Sequence, residues 1–568
     1  MDSSVVRRRA GPSLAVLVMY IAISFAYFGW RLLPHPGRDL VGKWQQNDAD
    51  IFVWSFAWWP HAILHGANPY FTRVVYAPTG INLAWVTSVP GLAIPFSPIT
   101  LLFGPDVSYN VAAVLLPALS AWTAYLLCRY VTRSTWASVV GGYLYGFSSY
   151  VLGHQFAGHL NLTSVFLVPL MALVILRYVR GDLGARGLAW RVGLLIALQA
   201  YISTEISITA TLMLLLGLAL AFAVAPEARP RIRSSLRPLA AGYLLAGVLA
   251  APLVYYAVSG LSSRTPVFAG YFDTDLLNII VPTPVTGVGG QWFAKAVGRW
   301  PGGTPERGAY LGLPLLLIVT LLVLRRPRSA GTRFLLGAFA IATLFSLGNA
   351  LYVNGHRIAW MPWAVPSRWP VLDEVLPSRF SVYAILAVAV MAAIWIATTR
   401  GALAYVLPIL AVAALIPPVW RADDVFRPDR WAFFSQRLYK VCIPRDETLM
   451  VFPFGRWGES MLWQAETGFW FKIAEGTLGH NNQPKSFVSD PTVNELLFAY
   501  PDTRPSMEEI RALADRRHVD RIVTVAQNDP FPDGTDMHFF GQLQVLGDVF
   551  VSPACGYTSL AGDSRPPP

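Results

Sequence analysis

Apolar residues run along most of this chain in long unbroken stretches rather than in the three-to-four-residue or alternating periods of a soluble core. A helix needs about 17–25 apolar residues to cross a hydrocarbon core. Stretches near that length fall at 11–33, 106–130, 135–153, 161–179, 188–204, 206–225, 236–258, 308–324, 334–353, 379–398 and 401–420. They predict a polytopic α-helical membrane protein with about eleven transmembrane helices. A further stretch, 88–104, carries Pro90, Pro95 and Pro98. Proline removes helical hydrogen bonds, so this segment reads as broken, interfacial or re-entrant.

Four polar regions separate the stretches on one side: 34–105, 259–307, 354–378 and 421–568. In the first, residues 50–65 predict an amphipathic helix lying in the membrane interface among Trp54, Trp58, Trp59, His61 and His65. The last carries no apolar span. Thr448–Pro453 reads as a strand, Glu508–Arg517 as a helix and Val519–Val525 as a second strand, which predicts a small α/β domain. The expected division is a membrane domain over 1–420, with external loops 34–105 and 259–307, followed by an extracytoplasmic α/β domain over 421–568. No internal repeat is visible, and the Arg-Pro-Pro-Pro end reads as a disordered tail.

Composition agrees with the pattern and charge orients it. Of 568 residues, 54% are hydrophobic and only 14% charged, against roughly 25% charged in a soluble domain. The net charge of +11 would suit a nucleic-acid binder if the basic residues were pooled. Instead they lie in short clusters between stretches: Arg7 to Arg9, Arg129 and Arg133, Arg177 to Arg191, Arg229 to Arg237, Arg325 to Arg333, and Arg400. Such clusters mark cytoplasmic loops. With the first stretch as an uncleaved anchor and the N-terminus inside, each cluster falls on the cytoplasmic side and 421–568 falls outside. Nucleic acid is excluded as a partner, and membrane lipids are implied. The excess of arginine over lysine points to a bacterial genome and the bacterial cell membrane. Outside the cytoplasm a Cys442–Cys555 disulfide is open, as are two unpaired thiols.

The first outer region holds Asn47-Asp48-Ala49-Asp50, two carboxylates just ahead of the aromatic helix. Acids beside apolar surface are costly unless they act there, although either could also cap the helix. The order of features resembles the GT-C superfamily of membrane glycosyltransferases, which use a polyprenyl-phosphate sugar donor. The resemblance runs from the acidic motif through Asn68-Pro69-Tyr70, Tyr76-Ala77-Pro78-Thr79-Gly80, the proline-broken segment ending Phe103-Gly104-Pro105, Cys128-Arg129-Tyr130, Gly146-Phe147-Ser148-Ser149-Tyr150, and His154 and His159.

The resemblance implies an inverting transfer to a glycan or lipid acceptor at the outer boundary, with an aspartate as general base. By position Asp48 is first choice and Asp50 second. Arginine suits the leaving phosphate. Arg379, at the outer mouth of a stretch, is the leading candidate, with the alternative of an anchor snorkelling to headgroups. Arg264 is a weaker candidate. His154 and His159 can bind donor phosphate or simply line a solvated loop. Glu205, at a tight turn between two stretches, either lines the substrate cavity or pairs with an outer arginine. No cofactor is assigned, and a divalent cation is left open. The rival functions are a lipid-linked glycan flippase and a non-catalytic envelope assembly protein, whose aromatics in Phe452–Trp470 would stack on sugars.

Overall fold

The computed structural model describes residues 3–42, 48–260, 269–419, 425–428, 431–479, 483–499, 505–525, 544–546 and 549–552. The Cys442 and Cys555 side chains and the tail fall outside this set, as do Asn47 and Arg264.

Among the described residues, five helices are long and apolar enough to cross a membrane unaided: Ser13–Leu32, Pro105–Thr132, Leu160–Val179, Thr204–Val224 and Pro377–Thr398. A pair bent by 72°, Pro226–Leu249 with Ala251–Ser259, makes a sixth if it is one span. Three shorter apolar helices follow, Leu313–Arg325, Ala330–Ser346 and Leu403–Ala413. The mostly helical membrane architecture is as expected, and the count of about eleven transmembrane helices is not confirmed among the described residues. Stretch 135–153 instead holds two short helices, Thr135–Gly146 and Ser149–Phe156, and Ser148 between them caps the second. A helix enclosed by protein is matched to its neighbours rather than to bilayer thickness.

Close packing makes that enclosure possible. Gly142 and Gly146 lie one helical turn apart facing Pro105–Thr132. A Cβ on Gly146 would stand 2.3 Å from the Ala121 amide nitrogen, and one on Gly142 would stand 2.6 Å from the Ala121 carbonyl. Small residues at this spacing let helix backbones meet in membranes. Burial then sorts the helices: the window in Pro377–Thr398 is 89% buried and that in Thr204–Val224 only 22%, so the first is the centre of the bundle and the second its rim.

The 88–104 segment is broken as its prolines predict, into Pro90–Ala93 and Ser97–Phe103. The aromatic helix differs from expectation. It spans Asp48–Leu64, but most of its residues are buried in protein between Pro105–Thr132 and Ser460–Glu466 rather than leaving one face open. Its indoles explain why. Trp54 Nε1 donates to Gln464 Oε1 at 2.8 Å, Trp58 Nε1 to the Pro69 carbonyl and Trp59 Nε1 to the Ser88 carbonyl, so protein supplies the polar partners that water would give at an interface.

Beyond residue 425 the chain forms a five-stranded sheet in the order Gln544–Leu546, Val549–Ser552, Arg521–Val525, Thr448–Phe452, Lys472–Ile473. Thr448–Phe452 pairs parallel with both neighbours, and the remaining pairs are antiparallel. A parallel pair needs a crossover. Here Met507–Arg516 lies on the crossover, its start fixed by a reciprocal Ser506–Glu509 capping box. The loop that follows the first span is bonded to this region: Leu40 and Val41 pair with Phe426 and Val425, the Tyr76 amide donates to the Glu475 carbonyl, and the Ile473 amide donates to the Val74 carbonyl. Phe452, Phe454, Trp463 and Phe469 are buried, and Trp463 stacks on Phe434, so these aromatics serve packing rather than an open sugar platform.

Candidate active site

Asp48 and Asp50 both lie in the first turn of the described helix Asp48–Leu64. Asp48 keeps 28% of its side chain exposed, whereas Asp50 is buried at 1%. Asp48 is the more accessible of the two.

His159 reaches Asp48 from the end of the helix Ser149–Phe156. The chain turns through Gly158 at φ +78°, and a Cβ there would stand 2.9 Å from the Tyr109 hydroxyl, so this turn needs glycine both for conformation and for space. His159 Nε2 then lies 2.8 Å from Asp48 Oδ2, and His159 Nδ1 lies 3.0 Å from His154 Nδ1. His154 is fully buried. Burial, then the neighbouring Arg379 and then His159, hold its imidazole well below its ordinary value, so it is neutral.

Arg379 sits on the turn Pro377–Phe380 that opens the central helix. Its Nη1 lies 3.1 Å from His154 Nε2 and 3.4 Å from Glu306 Oε1, its Nη2 also 3.4 Å from Glu306 Oε1, and its Nε 3.5 Å from Glu205 Oε2. Glu205 accepts a 2.8 Å bond from the Leu376 amide through its other oxygen. At 4% exposure Arg379 is not a snorkelling anchor; it is a buried cation between two carboxylates. Glu205 thus pairs with Arg379 at the turn.

Glu306 went unread in the sequence. It ends the short turn Thr304–Glu306, and its neighbour Arg307 donates 2.6 Å bonds to the Trp300 and Gly302 carbonyls, which shapes the loop that presents it. An acid at the outer end of the 308–324 stretch was the available signal, but nothing local tied it to an arginine 73 residues away.

Residues 17–416 match the model of a family described as a domain of unknown function, DUF6311. The chain belongs to this family. No curated protein matches it. Among solved structures, the arabinofuranosyltransferase AftD from Mycobacteria is similar over 91% of this DUF6311 chain and 35% of its own, at 14% identity and a TM-score of 0.54. This chain therefore spans about a third of that protein. The apo oligosaccharyltransferase of Archaeoglobus fulgidus is similar over 90% of this chain and 69% of its own, at 13% identity and a TM-score of 0.50. The likeness is one of fold, and the DUF6311 chain has the GT-C fold.

Ligand atoms of His154, His159 and Glu306 lie within 4.8 Å of one another, a donor set that imidazole-binding metals accept. In the DUF6311 chain, however, both nitrogens of each histidine are engaged in the contacts above, and the Arg379 guanidinium already touches His154 and Glu306. The cation built into the cluster is arginine. Of the expected residues, Asp48, His154, His159, Glu205 and Arg379 are brought together; Asp50 is buried beside them in the same helical turn, and Arg264 lies outside the described residues.

Proposed function

We propose that this protein is an integral membrane glycosyltransferase that moves a sugar from a polyprenyl-phosphate donor to a cell-envelope acceptor at the outer face of the bacterial membrane, with inversion. Asp48 is the general base, and Asp50 the alternative. The observation that carries this is the half-exposed Asp48 carboxylate. His159 fixes Oδ2, and Oδ1 has no hydrogen-bond partner among the described residues, so one oxygen is held and the other is free to take a proton.

The GT-C fold, shared with an arabinofuranosyltransferase and an oligosaccharyltransferase, supports the reaction class. Arg379 meets the leaving phosphate. Its carboxylate contacts of 3.4–3.5 Å are longer than the roughly 2.7–2.9 Å of committed charge-assisted bonds, so one can be exchanged for a phosphate oxygen. Asp48, His154, His159, Glu205, Glu306 and Arg379 come from segments that the basic-loop pattern assigns to one side, and their meeting in one cluster supports that orientation, with 421–568 as an extracytoplasmic domain.

The test is transfer of label from polyprenyl-phosphate sugars into membrane acceptors. Asp48→Asn is expected to insert normally and lose about 10²–10⁴-fold in rate. Full activity in both Asp48→Asn and Asp50→Asn sinks the assignment of the base. No transfer from any donor, with lipid movement in proteoliposomes, gives the case to a flippase.

A further inference from the structure

Arginine carries only donors and keeps its charge, so it fixes the direction of any hydrogen bond it makes. Arg379 Nη1, 3.1 Å from His154 Nε2, makes that nitrogen an acceptor. A neutral His154 then holds its proton on Nδ1, and Nδ1 faces His159 Nδ1 at 3.0 Å. His159 must accept there, which leaves its own proton on Nε2, pointed at Asp48 Oδ2 at 2.8 Å. Charging either ring would set two donors face to face, His154 against Arg379 or His159 against His154.

We propose that His154 and His159 are positioning residues forming a one-way hydrogen-bond relay from Arg379 to Asp48, which holds Asp48 Oδ2 and leaves its Oδ1 for the acceptor. The proposal rests on Asp48 being the base. In the transfer, the acceptor O–H proton passes to Asp48 Oδ1. The acceptor oxygen forms its bond to the anomeric carbon, and the bond from that carbon to the phosphate oxygen breaks with its electron pair leaving on the phosphate. The proton cannot move inward, because His159 Nε2 already carries one and Arg379 accepts none. It leaves by the exposed edge of Asp48, which keeps 28% of its side chain in contact with solvent. The relay thus polarises the base without draining it.

The direct test reads the tautomers. Nitrogen-15 spectra of the full chain in nanodiscs, labelled at histidine and assigned with His154→Phe and His159→Gln, should show His154 protonated on Nδ1 and His159 on Nε2 at pH 7. A His154 protonated on Nε2, or an imidazolium at either position, overturns the relay. Because this needs no turnover, it stands apart from failure of the transferase reading, which appears as absent label transfer in the wild type.

Kinetics supply the second arm. Gln at 159 can still donate from the Nε2 position, whereas Asn is too short. His159→Gln should hold kcat within about tenfold, and His159→Asn should lose about 10²-fold or more with the donor KM little changed. Equal losses in the two variants overturn the relay, as does a stoichiometric transition metal in purified protein that His154→Ala removes.

Discussion

Glu306 and Glu475 are both withdrawn from water, at 7% and 0% exposure, but different structures hold them. Glu306 shares the Arg379 guanidinium with Glu205. Glu475 makes no ion pair among the described residues. Its Oε1 accepts from the Val451 amide at 3.3 Å, and burial pushes its carboxyl up to about 8, so it is protonated at neutral pH. A carboxylate with a cation beside it has a partner of opposite charge and can share or steer it. One without a cation becomes a neutral packing element that charges only at a cost. The first arrangement suits a reaction centre. The second suits the seam where the Glu475 carbonyl takes the Tyr76 amide of the first outer loop.

The sharpest way to break the comparison is to remove the shared cation. Arg379→Met strands two carboxylates and should cost about 3–5 kcal/mol in unfolding experiments, because breaking a buried ion cluster leaves charge uncompensated. A shift within error would show that the cluster is wetter than its burial implies.

At Glu475 the sign is opposite and pH-dependent. The folded carboxyl titrates near 8 and the unfolded one near its ordinary value of 4.5. Its contribution is therefore intact below the unfolded value and lost as pH rises toward and through the folded value, because the folded state binds the extra proton. The slope is about 1.4 kcal/mol per pH unit over that window. Glu475→Gln should flatten this slope and leave the variant more stable than wild type at pH 8–9 in thermal melts. An unchanged slope would mean that Glu475 is not the titrating group.

The smallest effect belongs to Glu205→Gln. Its amide oxygen can still accept from Leu376, and the side chain is 20% exposed, so stability should change by about 1 kcal/mol or less. Turnover should fall because Arg379 loses one of two balancing charges. A melting loss as large as that of Arg379→Met would make Glu205 structural instead.

Much of this was legible along the chain. The basic clusters, the break at 88–104, the acids after the first span, and the elements around Thr448, Glu508 and Arg521 are local features, each set by a short run of residues. The aromatic helix was legible as a helix but not as a buried one, because Trp54 needed Gln464, 410 positions away, to satisfy its indole. Arg379 read equally well as a phosphate ligand or a headgroup anchor until Glu306 and His154 were beside it.

The sequence by itself determined a membrane chain, and it set the expectation of where the basic and acidic loops lie and of Asp48 as the leading acid. Hydrophobic length and charge placement act through the bilayer, which every segment meets independently. Only the tertiary structure decided which helices are enclosed, which buried acids meet a cation, and that Arg379 reaches Asp48 through two histidines. Those contacts join residues 111 and 225 positions apart, and a hydrogen bond's partner and direction exist only once folding has brought both ends within about 3 Å.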